Sequence, residues 1–69
     1  MKLDLLKQYR LERGLTQQQL STYIDMSYRS YSSKENGQRP FYIGDLEKIF
    51  DVLNLSDKEI LSLLDRKNV

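Results

Sequence analysis

Sixty-nine residues with no cysteine and no histidine leave room for one domain, and remove the disulfide staple, the commonest zinc ligands and the commonest general base together. The net charge is only +1, yet it is unevenly placed: residues 1–39 carry seven Lys/Arg against four Asp/Glu, whereas residues 40–69 carry four against six. A basic first part and an acidic second part can face different partners. No apolar run is long enough to cross a bilayer, and Met1-Lys2-Leu3-Asp4 does not begin a signal peptide. The expectation is therefore a soluble cytoplasmic domain over residues 1–69, with no metal, no cofactor and no catalytic group.

In chain order, the punctuation predicts five short helices and no sheet. The first runs from about Leu3 to Arg13, and Gly14 follows where a left-handed C-cap suits glycine. Thr16 opens the second, with Gln19 placed to complete a capping box and Leu15 and Leu20 at the spacing of a hydrophobic staple. Ser27 opens the third, Met26 and Tyr31 repeat the staple, and Gly37 ends it before the loop at Arg39-Pro40. The fourth spans about Ile43 to Leu53. Ser56 opens the fifth, with Glu59 completing a second capping box and Leu55 and Ile60 a third staple.

The join between helices two and three is only about three residues, Asp25 to Ser27, and a turn that short forces a steep crossing of roughly 90–120°. Leu20, Ile24, Met26 and Tyr31 supply inner faces for such a pair, and Ser21 is small where the backbones approach. Asp25 stands where the chain turns through a left-handed conformation, which aspartate tolerates at some cost. Lys34 falls on the inner face of helix three, where its stem is expected to pack while the ammonium snorkels to water. The expected core comprises Leu6, Tyr9, Leu15, Leu20, Ile24, Met26, Tyr31, Leu46, Ile49, Phe50, Leu53, Leu55, Ile60 and Leu64. Buried tyrosines need partners for their hydroxyls.

These residues carry a family resemblance. Leu6 to Gln19, then Leu20-Ser21, then Ser27 to Gly37 ending in Glu35-Asn36-Gly37, then Arg39-Pro40, and finally Val52 to Ser56 resemble the lambda-repressor/Cro-like, or XRE, helix-turn-helix domains. The chain departs from that pattern at Asp25, at Lys34, at the tyrosines 9 and 31, and by one extra residue between Pro40 and Leu53. The resemblance implies an all-α, compact five-helix domain with the helix-turn-helix over about 16–36. It also implies an ion pair between Arg10 and Glu35, which arginine can form through two parallel hydrogen bonds.

In such a domain the third helix enters the major groove of double-stranded DNA. With Ser27 as cap, Tyr28, Arg29, Ser32 and Ser33 point away from the core and are the expected base contacts. Arg29 is the strongest of them, because a guanidinium can grip guanine O6 and N7 together. Phosphate contacts are expected from the start of helix two, where the resemblance gives Gln17 the role, and from Asn36, Gln38, Arg39 and Tyr42 after helix three. Arg13, Lys2 and Lys7 are read as solvated.

The apolar stripe of helix five, Ile60, Leu61, Leu63 and Leu64, covers about 160° of the helix. Leu61 and Leu63 are expected to meet a second copy through a helix over about 57–66, giving a homodimer on a palindromic operator. The function that follows is a sequence-specific regulator of transcription, a repressor of the phage, mobile-element or bacterial Cro/C1 type. The alternative is a protein-interaction module, such as an antitoxin or a partner-binding subunit, on the same fold.

Overall fold

The computed structural model describes residues 1–64. Among them every regular element is helical: α1 (Leu3–Glu12), α2 (Gln17–Tyr23), α3 (Tyr28–Glu35), α4 (Ile43–Leu53) and α5 (Asp57–Leu64). The expected caps set the starts. Thr16 Oγ1 accepts from Gln19 N–H at 3.0 Å while Thr16 N–H donates to Gln19 Oε1 at 2.9 Å. Ser56 and Glu59 repeat the reciprocal pair at 3.1 and 2.9 Å, and Ser27 Oγ accepts from Ser30 N–H at 3.1 Å. Each cap satisfies amide groups that a helix start leaves without partners.

The first four helices stop in one way. A residue in left-handed conformation follows each, namely Gly14 (φ 73°), Asp25 (φ 59°), Gly37 (φ 87°) and Asn54 (φ 51°). The next amide after each of these reaches back to the helix: Leu15 to Arg10 O, Met26 to Ser21 O, Gln38 to Ser33 O and Leu55 to Phe50 O. This is the Schellman termination. Asp25 is left-handed, the strain inferred from its position. Asn54 adopts the same conformation. The first helix ends at Glu12, one residue earlier than expected.

α2 and α3 pack together across the short turn, α1 lies against α3 and α5, and α2 touches α4. Leu6, Leu20, Tyr31, Ile49, Leu53 and Leu63 have no exposure at the centre of this arrangement, and Ile24 has almost none. Full burial of an aliphatic or aromatic side chain contributes roughly 1.5–3 kcal/mol. Leu5, Phe41 and Val52 also pack against the core, although the expected core omitted them. Phe41 lies in an irregular segment and meets Tyr31 with ring centroids 5.8 Å apart.

The register of α5 corrects two expectations. Leu63 is fully buried rather than available to a second copy, and Leu64 is 39% exposed rather than core. Three hydrogen bonds lie along the Glu59/Leu63 edge of α5, which faces inward. Arg13 grips both oxygens of Glu59 at 3.0 and 3.1 Å, and Lys2 N–H donates to Leu63 O at 3.0 Å. Leu61, at the opposite edge, is left 70% exposed. Residues 65 and 66 of the expected dimerisation helix lie outside the described residues.

Arg13 is thus no solvated surface charge. Its Nε also donates to Leu53 O at 2.8 Å, so one guanidinium joins the end of α1 to the end of α4 and the start of α5. Lys34 is likewise not snorkelling. Its side chain is 6% exposed, and its Nζ donates to Asp45 Oδ2 at 2.7 Å.

Candidate nucleic-acid interface

α3 turns Tyr31, Lys34 and Glu35 inward. That leaves Tyr28 and Arg29 exposed, with Ser32 and Ser33 half-buried on the outer side. All four expected base-contact residues thus reach solvent from α3, Tyr28 and Arg29 fully and Ser32 and Ser33 in part. Tyr28 also borders a shallow groove lined by Arg10, Leu11, Thr16, Gln17 and Gln18, which sets it beside the start of α2.

The loop after α3 is tied to that helix. Ser33 O accepts from the amides of Gln38 and Arg39 at 2.8 and 3.3 Å. Asn36 Nδ2 donates to Ser32 Oγ at 3.3 Å, so an expected phosphate contact and an expected base contact touch each other. Asn36, Gln38, Arg39 and Tyr42 are exposed.

Beneath this surface sits a closed polar network. Arg10 donates from Nε and Nη2 to the two oxygens of Glu35 at 2.9 and 3.0 Å, and from Nη1 to Leu15 O at 2.7 Å. Tyr31 Oη donates to Glu35 at 2.6 Å and Gln17 Nε2 donates to it at 2.8 Å. Arg10 and Glu35 are 4% exposed. The network joins α1, the start of α2 and α3, so it fixes α3 on its scaffold. Gln17 gives one of its amide hydrogens to Glu35, and its NH₂ group has one more to offer.

The electrostatics follow from what is neutralised. Between residues 28 and 42 the single acid is Glu35, which is buried against Arg10. Arg10 and Arg13 are both held in structural ion pairs. Arg29 and Arg39 are exposed and form no ion pair among the described residues. Within residues 28–42 the exposed charge is therefore positive, while Asp25 lies exposed just before the α3 cap.

Three carboxylates are held below their ordinary range. Burial pushes Glu35 up, but hydrogen bonds from Arg10, Tyr31 and Gln17 outweigh it. Burial likewise raises Asp45, and the Lys34 hydrogen bond with the Tyr42 amide overcomes it. The Ser56 amide and then Arg13 lower Glu59. Burial and the bond to Glu35 push the Tyr31 hydroxyl far up, so it stays a donor. A depressed carboxylate contributes stability that is complete above its unfolded value and lost as pH falls through its folded value. Melting temperature should therefore hold on acidification from pH 7 and fall once pH drops below about 4.5, the ordinary value for glutamate. With no histidine, no step is expected near pH 6 to 7. Thermal melts from pH 7 to pH 3 check both statements.

Sequence reasoning missed the Lys34–Asp45 pair. Its one local signal was Asp45 three residues after Tyr42, the spacing at which an acid caps a helix start. Asp45 Oδ2 does accept from Tyr42 N–H, at 3.0 Å. Among the described residues no helix is long and apolar enough to cross a membrane, and no group of three or more His, Cys, Asp or Glu is placed to hold a metal. A family model described as helix-turn-helix matches residues 6–60. Comparison with curated proteins and with solved structures gave no match.

Proposed function

The chain belongs to the lambda-repressor-like helix-turn-helix family of DNA-binding regulators, and from that premise we propose that it is a sequence-specific transcriptional repressor acting on double-stranded DNA. The observation that carries the reading is the placement of arginines. Among the described residues, the two arginines outside structural pairs, Arg29 and Arg39, lie on α3 and on the loop tied to it, with no exposed acid between residues 28 and 42.

In this reading α3 lies in the major groove with Tyr28, Arg29, Ser32 and Ser33 at base edges. Arg29 reads guanine through two hydrogen bonds. Asn36, Gln38, Arg39 and Tyr42 hold the flanking phosphates and fix register without reading sequence. Gln17 links the two layers, with one amide hydrogen on Glu35 and the other for a phosphate. A second copy joins through Leu61, exposed on α5, and sets two recognition helices about 34 Å apart over a palindrome.

The test is the salt dependence of binding to a duplex of random sequence. Each neutralised phosphate releases counterions, so affinity should fall steeply and linearly on logarithmic axes. A flat salt dependence, or no binding at low salt, would favour the protein-interaction alternative. On a selected site, Arg29→Ala should weaken binding roughly 5- to 150-fold and relax preference at one base. Competition with single-base variants of that site reads the second effect. An Arg29→Ala protein with unchanged preference at every base would remove Arg29 from the groove.

A further inference from the structure

Among the described residues Lys34 is the one lysine that the fold buries, and it sits on α3 itself. Its Nζ lies 2.7 Å from Asp45 Oδ2 and 4.8 Å from the centroid of the Tyr42 ring. The same Asp45 oxygen accepts from the Tyr42 amide at 3.0 Å. The backbone of residue 42 is thus tied to Asp45 and its ring to Lys34, so both are held by one ion pair. Tyr42 nevertheless remains 64% exposed. A methionine or leucine at position 34 could fill the same space, but it would bind neither the carboxylate nor the ring face. A lysine in this place therefore couples two elements that an apolar residue would only pack.

Resting on the DNA-binding reading above, we propose that Lys34 is a positioning residue, which with Asp45 clamps Tyr42 at a fixed offset from α3 so that its hydroxyl meets a backbone phosphate while α3 occupies the groove. The ammonium supplies what the geometry requires. It donates to the carboxylate and lies over the ring as a cation over a π face. Asp45 serves the helix start and the clamp at once. The bond from Lys34 holds that carboxyl below its usual range, so it stays charged at neutral pH.

A double-mutant cycle on a selected duplex, with the full chain, tests this. Tyr42→Phe should weaken wild-type binding on the order of tenfold, the effect of losing one hydrogen bond to a charged group. In a Lys34→Met background, with folding checked by circular dichroism and melting, the same Tyr42→Phe change should cost less than about twofold, because the hydroxyl is no longer held in place. Asp45→Asn keeps an acceptor for the Tyr42 amide and removes the charge. It provides a second cycle if Lys34→Met does not fold, and the same loss of coupling is expected. Equal Tyr42→Phe effects in all backgrounds, or no effect in the wild type, overturn the clamp while leaving DNA binding intact. A folded wild type that binds no duplex overturns the DNA-binding reading and the clamp with it.

Discussion

Glu35→Ala is expected to remove most of the stability of this domain. Arg10 would keep its buried position, with Nε and Nη2 aimed at a carboxylate no longer present. The Tyr31 hydroxyl and one Gln17 amide hydrogen would lose their acceptor as well. Breaking a buried pair by deleting one partner costs about 3–5 kcal/mol, because an uncompensated charge remains behind. A native domain has only about 5–15 kcal/mol in total, and one this short lies toward the lower end. Each kcal/mol lowers the melting temperature by roughly 4–8 °C in a domain of this size. A drop of more than about 12 °C, or failure to fold at 25 °C, is expected. Tyr31→Phe removes one donor and leaves the pair, so about 1 kcal/mol is expected for it. A Glu35→Ala protein that melts within a few degrees of wild type would show that the network orients α3 without holding the fold together.

Leu63→Ala and Leu61→Ala should differ sharply although they lie two residues apart. Leu63 is fully buried, and truncating such a leucine costs about 2–5 kcal/mol through lost transfer energy and the cavity left behind. Leu61 is 70% exposed, and its loss should change folding by less than about 0.5 kcal/mol. Denaturant melts of the two variants read the difference. Equal costs would mean that α5 does not sit on the core through its Glu59/Leu63 edge. In the dimer proposed above the order reverses: Leu61→Ala should weaken self-association at concentrations where folding is intact.

The helices were legible because their signals are local. Thr16 with Gln19, and Ser56 with Glu59, satisfy one another within four residues, so spacing alone finds them. Gly14 and Gly37 mark stops by the conformation that they permit. The exposure of Tyr28 and Arg29 on α3 follows from the same local pattern, although Tyr28 shares the side of Tyr31 and Glu35 and reaches solvent only at the start of the helix. Long-range polar contacts were not legible from spacing, and the Arg10–Glu35 pair was expected only from the family resemblance. Arg13 finds its partners 40 and 46 residues away, and nothing near position 13 announces them. That contact lies on the edge of α5 that faces in. A stripe covering about 160° does not say which edge faces in, so Leu63 and Leu64 were exchanged. Lys34 misled in another way. Its stem satisfies the inner-face pattern of Tyr31 and Glu35, while the destination of its ammonium depends on Asp45, an acid on the next helix. Asn54 shares the left-handed conformation of the glycine stops, but carries a weaker sequence signal for it.

The most direct measurement is an unbiased selection of duplexes from a random pool with the purified wild-type protein, at low and at moderate salt. Enrichment of a palindrome whose half-sites are centred about one helical turn apart, roughly 34 Å, with guanine at a fixed place in each half, is the expected result. No enriched sequence from well-folded protein at low salt would contradict it, and would point to a partner protein as the ligand of this surface.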